Sequence, residues 1–180
     1  MMWNGALREM TDKIIKVVFD AGPIIHLDEL DCLDLLCEFQ EILLAESVWN
    51  EINRYRPLAL QRSGLSLIRC PQQYPGDEQL RTMCRTFSLD SGEIGALAIM
   101  EDNPGAVFFT DDTAARLVAE QMRFKVHGTI GILIRSIRQG QMKPDRVLSI
   151  LKEIPLKSTL YIKSSLLEKV IRKVEDQFHL

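Results

Sequence analysis

One stretch near the start restricts this chain more than any other: Lys16-Val17-Val18-Phe19-Asp20-Ala21-Gly22-Pro23-Ile24-Ile25. Three apolar residues end abruptly in a carboxylate. Gly22 lets the backbone turn, and Pro23 suits the first turn of a helix. The pattern predicts a buried strand, Asp20 at its carboxyl end and a helix leading away. In open α/β sheets, ligand sites gather outside the carboxyl ends of the strands. Asp20 is therefore the reference against which every other acidic residue is tested.

The same alternation continues downstream. Apolar spacing through Leu33, Leu35, Leu36 and Phe39 predicts two short helices with a break near Asp31. A second strand is expected at 41–45, then a helix capped by Ser47 and running through Val48, Glu51, Ile52 and Tyr55. A third short strand at 66–69 precedes a Pro/Gly loop and a weak helix from about 77 to 86. Ser88-Leu89-Asp90-Ser91-Gly92-Glu93 opens a strong helix through Met100. A buried strand at 106–110, a helix at 113–122, a minimal strand at 125–127 and a helix at 130–138 follow. Strands alternating with helices imply a parallel sheet covered on both faces.

The expected organisation is an N-terminal extension over 1–13, an α/β domain over 14–140 and a C-terminal helical extension over 141–180. The extension is predicted to hold helices from about 144 to 152 and 161 to 178, the latter with Ile162, Leu166, Val170 and Val174 on one stripe. One hundred and eighty residues suffice for a sizeable core. A net charge of −3 argues against a generally basic nucleic-acid coat, though not against a local basic patch. Cys32, Cys37, Cys70 and Cys84 lack the paired spacing of a zinc site and fit reduced thiols in a cytoplasm. No apolar run is long enough to span a bilayer, and residues 1–13 lack the apolar core of a secretory signal.

The acids form a constellation. Glu51 lies beside the apolar stripe of its helix. Glu93 shares the inward face with Ala96, Leu97 and Met100. Asp20 and the Asp111-Asp112 pair directly follow apolar strands. Two carboxylates about 4 Å apart at an effective dielectric near 20 repel by roughly 4 kcal/mol. A cluster of several needs protons or cations, and hard divalent ions with oxygen ligands suit it. Such ions generate hydroxide and steady the charge on a phosphoryl oxygen. Each acid also has a plain structural role: Asp111 or Asp112 as a helix cap, Glu93 against the macrodipole, Glu51 paired with Arg54. Taken singly these win; the recurrence at strand ends and inward faces tips the balance.

Five pieces, in order, resemble the PIN-domain family of metal-dependent ribonucleases, in particular its prokaryotic toxin–antitoxin branch. They are Val-Val-Phe-Asp20-Ala-Gly-Pro, Ser47-Val-Trp-Asn-Glu51-Ile, Leu89-Asp-Ser-Gly-Glu93-Ile-Gly-Ala-Leu-Ala, Phe109-Thr-Asp-Asp112-Thr-Ala-Ala-Arg116 and Val126-His-Gly-Thr-Ile-Gly-Ile-Leu133. The resemblance covers about residues 16–139. It implies a Rossmann-like α/β/α sandwich and a metal-dependent endoribonuclease using Mg²⁺ or Mn²⁺. The implied acids fall on Asp20, Glu51, Glu93 and Asp112, with Asp111 as the alternative for the fourth and as a further metal ligand. Thr110 and Asp90 are candidate supports. Many family members carry Asp where this chain has Glu93.

Arg54, Arg116 and Lys125 are candidate RNA contacts. His26 is expected on a helix surface, with the site entrance as its alternative. An RNA substrate, an antitoxin protein and a homodimer are the expected partners, with no membrane. The competing function is a catalytically inactive PIN-like binding or regulatory protein. An aspartyl-phosphate phosphatase wants a second Asp two positions after the first, where this chain has Gly22.

Overall fold

The computed structural model describes residues 16–178, so the expected extension at 1–13 lies outside them. Strand β1 (Lys16–Phe19) is followed by helix α1 (Ala21–Glu29). A 3-10 segment (Leu33–Glu38) takes the place of the second expected helix, and Asp31 between them adopts a positive φ of 54°. Strand β2 (Glu41–Ala45), helix α2 (Glu46–Tyr55), strand β3 (Leu67–Cys70), helix α3 (Glu78–Thr86) and helix α4 (Ser91–Asp102) come next. Strand β4 (Val107–Phe109), helix α5 (Thr113–Gln121), strand β5 (Lys125–His127) and helix α6 (Thr129–Arg138) complete the alternation. Helices α7 (Pro144–Lys157) and α8 (Ser164–Phe178) close the chain.

The five strands form one parallel sheet in the order β3-β2-β1-β4-β5. This is the α/β sandwich that the alternation predicts. The chain builds outward from β1 to β3 on one side, then returns to β4 and β5 on the other. The order therefore reverses between β1 and β4, the place where open α/β sheets leave a crevice for ligands. Central position explains why Val17, Val18 and Phe19 are all apolar: both faces of β1 are covered. Phe19 and Phe109 are register partners, and their rings stack at 4.7 Å with Phe39 tilted against Phe109 at 5.5 Å. These rings lock together the two strand ends that carry Asp20 and Thr110.

The C-terminal helices share this core. Val147, Ile150, Leu151 and Ile154 of α7 and Leu167, Val170 and Val174 of α8 are buried in one cluster with the strands. Helix α7 runs past the expected end at 152, with buried Ile154 anchoring the last turn despite Pro155. Helix α8 starts at Ser164, which leaves Ile162 outside it, and Leu166 is 49% exposed. A strict spacing of four drifts off one face by about 40° per step at 3.6 residues per turn; Leu167 replaces Leu166 on the buried stripe. All four cysteines are free. Among the described residues, no helix is long and apolar enough to cross a membrane.

Candidate functional site

A cavity of about 370 Å³ opens at the carboxyl edge of the sheet, beside the reversal between β1 and β4. Asp20, Glu51, Asp90, Asp111 and Asp112 line it, with no lysine or arginine among its described lining residues. Asp20 comes from the end of β1, Glu51 from α2 and Asp90 from the start of α4. The two other aspartates come from the β4–α5 connection. Glu93 is not on the cavity wall, but it feels the charges of Asp90, Asp112 and Asp20. The fold thus brings Asp20, Glu51 and Asp112 to one cavity and Glu93 within electrostatic reach of Asp20 and Asp112, though Asp20 and Asp112 lie far apart in the chain.

Asp20 is the most constrained. It is 9% exposed and caps α1, with Oδ1 accepting from Ala21 N at 2.8 Å. Its Oδ2 accepts from the buried Thr110 hydroxyl at 3.0 Å. Thr110 Oγ1 in turn accepts from Asp112 N at 3.1 Å, so Thr110 bridges the two acids. Burial pushes the Asp20 carboxyl up to about 7; the bonds from Ala21 and Thr110 pull it down, and Asp90 and Glu51 push it further up.

Glu93 and Asp90 form a reciprocal cap at the start of α4. Asp90 Oδ1 accepts from Glu93 N at 2.9 Å, and Glu93 Oε2 accepts from Asp90 N at 2.8 Å. Burial lifts the Glu93 carboxyl well above the usual carboxylate range against that bond, and the charges of Asp90, Asp112 and Asp20 add to the lift. Glu51 is raised too, by burial and then by Asp90. Its neighbours Val48 and Ile52 are fully buried, whereas Tyr55 is 60% exposed and does not continue the inward stripe. Ser47 is not the cap of α2: the helix begins one residue earlier, at Glu46, with no side-chain cap. The Ser47 hydroxyl instead lies 2.7 Å from Gln72 Oε1 and 2.9 Å from Ser91 O, tying α2 to the start of α4.

The two adjacent aspartates divide their work. Asp112 caps α5, with Oδ1 accepting from Ala115 N at 2.8 Å. Asp111 turns the other way. Its Oδ1 accepts from Thr129 N at 2.8 Å and its Oδ2 from Thr129 Oγ1 at 2.6 Å, at the start of α6. His26 Nδ1 lies 2.8 Å from Asp111 Oδ2. His26 is therefore a cavity residue, and the expectation of a helix-surface histidine is corrected. Its partner lies on another strand end, so helix periodicity alone could not place it.

Of the candidate RNA contacts, Arg116 is turned inward and donates to Thr110 O at 2.8 Å. Lys125 stands at the amino end of β5, the opposite edge of the sheet from the cavity. Arg54 is exposed, with its guanidinium 5.5 Å from the Tyr55 ring centroid. The wall formed by Thr159, Leu160 and Tyr161 carries no local signal in the sequence. Only the packing of α7 and α8 brings it to the site.

The donor set is all-oxygen and anionic, with three carboxyls, those of Asp20, Glu51 and Glu93, already raised, which fits a hard divalent cation in chemistry. In their present rotamers, no three acidic, imidazole or thiol side chains among the described residues are grouped to hold an ion. Asp20, Asp90, Glu93 and Asp112 are turned toward backbone caps.

A family model described as a PIN domain matches residues 16–176, from β1 into α8. No curated protein and no solved structure matches the chain.

Proposed function

Because the chain belongs to the PIN-domain family, whose members are in general nucleases, we propose that it is a metal-dependent endoribonuclease hydrolysing RNA phosphodiester bonds. The observation that carries this reading is the convergence of carboxylates from four parts of the chain on one cavity, without a basic side chain among its described lining. Glu51, together with Asp20, Glu93 and Asp112 once these leave their capping bonds, would hold Mg²⁺ or Mn²⁺. When bound, such an ion supplies a water acidic enough to attack at neutral pH and offsets charge on the phosphoryl oxygens.

The chain's own groups prepare that chemistry. Thr110 and Ala21 N hold the Asp20 carboxylate at the strand end. Asp90 fixes the start of α4 and so the position of Glu93. Asp111, held by Thr129, orients His26 at the cavity wall rather than acting as a ligand. The resemblance to prokaryotic toxin ribonucleases extends the proposal to the toxin half of a toxin–antitoxin pair, in a cytoplasm. An antitoxin reading frame beside this one would support that extension.

A second reading has its own observation. Asp90, Glu93 and Asp112 each complete a helix cap, which would keep them useful in a PIN-like binding protein without turnover. Calorimetric titration of Mn²⁺ into metal-stripped protein separates the two. Saturable binding lost in Asp20→Asn, followed by RNA cleavage that EDTA abolishes, supports the nuclease. No binding in the wild type favours the non-catalytic protein.

A further inference from the structure

The last wall of the acidic cavity comes from the connection between α7 and α8. Thr159, Leu160 and Tyr161 line it. This connection is pinned. Ser158 Oγ and Thr159 N donate to Glu29 Oε2 at 2.8 and 2.7 Å, and Thr159 Oγ1 lies 3.0 Å from Glu29 Oε1. Arg56 also donates to Glu29 Oε1 at 3.2 Å. Leu160 is buried in the core. The next residue, Tyr161, is 86% exposed. An anchored backbone therefore holds a bare aromatic ring at the rim of the carboxylate cavity.

Charge sets what such a ring can do. Among the described residues the cavity offers a nucleic acid no lysine or arginine, and its acids repel phosphate. Beyond the phosphate that a bound ion would hold, recognition at this wall then uses parts of the nucleotide that carry no charge. The faces of the bases are such parts, and an aromatic side chain stacks on any of them. A tyrosine side chain has only two torsions to order, so it loses little freedom on binding. In a duplex both faces of each base are already covered by neighbours, so a single ring selects an unpaired strand.

We infer that Tyr161 is a base-stacking platform, on whose ring one unstacked base of the RNA rests beside the phosphate at the acidic cavity. This rests on the nuclease reading above.

The test reads binding apart from cleavage. A fluorescein-labelled 2′-O-methyl RNA decamer, shown by gel to stay intact through the titration, is titrated with the full chain in Mn²⁺, single-stranded and as a duplex, and followed by anisotropy. The single strand is expected to bind more tightly. Tyr161→Ala is expected to weaken it on the order of 10-fold, as loss of one stacked base does, and to leave duplex binding unchanged. Tyr161→Phe keeps the ring face and is expected to bind as wild type. Both variants replace an exposed side chain, and thermal unfolding confirms that they fold. Unchanged single-strand binding in Tyr161→Ala, with Mn²⁺ binding and cleavage intact, overturns the platform and leaves the nuclease standing. Preference for the duplex, or an equal loss in Tyr161→Phe, also overturns it. If wild type takes up neither strand nor Mn²⁺, both readings fall together.

Discussion

Thr110 Oγ1 donates to Asp20 Oδ2 at 3.0 Å, joining residues 90 positions apart across the reversal of the sheet. The bond lies where β1 and β4 deliver their last residues, above the stacked rings of Phe19 and Phe109. It holds an acid that burial makes reluctant to ionise, and the consequences of that conflict can be measured.

The first is a pH dependence. The folded-state pKa of Asp20, about 7, stands above an unfolded value near 3.9. A proton held more tightly by the native state stabilises it fully below the unfolded pKa, and this contribution is lost as pH rises through 7. The whole window is worth about 4 kcal/mol. Asp20→Asn does not titrate. Urea unfolding should show its stability relative to wild type improving by roughly 2–3 kcal/mol between about pH 5 and pH 8. A constant difference would locate the titration elsewhere.

Cation binding must displace the protons that raised carboxyls retain near neutrality. Mn²⁺ titrations near pH 7, in two buffers of different ionisation enthalpy, should therefore report net proton release that shrinks as pH rises. The same ion should raise the melting temperature of wild type and leave that of Asp20→Asn unchanged. Equal heats in both buffers would show that Asp20 and Glu93 are not ligands.

Asp112 offers a way to separate capping from ligation. Serine is as good an N-cap as aspartate, so Asp112→Ser should keep the bond to Ala115 N and hold stability within about 0.5 kcal/mol. It removes a carboxylate, so Mn²⁺ affinity should fall at least several-fold. Loss of stability with unchanged Mn²⁺ affinity would make Asp112 a cap alone.

Glu29 is the buckle of the Tyr161 strap. Burial works to raise its carboxyl, but bonds from Thr159, Ser158 and Arg56 outweigh it and hold the group below its ordinary value. Glu29→Ala should cost about 1–3 kcal/mol in urea unfolding. It should also speed hydrogen exchange at Thr159 N, which donates to Glu29 at 2.7 Å. Unaltered exchange at that amide would mean that the connection is held by Leu160 instead.

Gly128 is required by close approach. A Cβ there would lie 2.5 Å from Asp111 Oδ1, 2.9 Å from an Arg116 guanidinium nitrogen and 3.1 Å from Thr110 O. Gly128→Ala should destabilise by about 1–3 kcal/mol, the range for overpacking. It should also shift the His26 imidazole resonances in NMR, because Asp111 has to move. Wild-type stability with unmoved His26 signals would show that the pocket around Gly128 yields freely.

Local pattern carried most of the architecture. A strand buried on both faces must be apolar throughout, so Val17 to Phe19 and Val107 to Phe109 could be read from their neighbours alone. The acids were legible because each directly follows such a strand or shares the inward face of a helix. Ser47, Leu166 and His26 were misplaced for related reasons. Gln72 and Ser91 claim the Ser47 hydroxyl, helical drift exposes Leu166, and Asp111 draws His26 to the cavity. Each of these outcomes depends on a residue or a geometry beyond the local pattern.

By itself, then, the sequence determined the alternation of strands and helices, the parallel sheet and the acids at its carboxyl edge. These follow from side-chain periodicity and turn chemistry, which act over a few residues. Tertiary structure alone decided which of Asp111 and Asp112 turns toward His26, that Thr110 secures Asp20, and that a connection held by Glu29 from 130 positions away walls the cavity. Those contacts are chosen by how packed elements meet. Burial then removes the water that would otherwise satisfy each polar group and leaves one partner within reach.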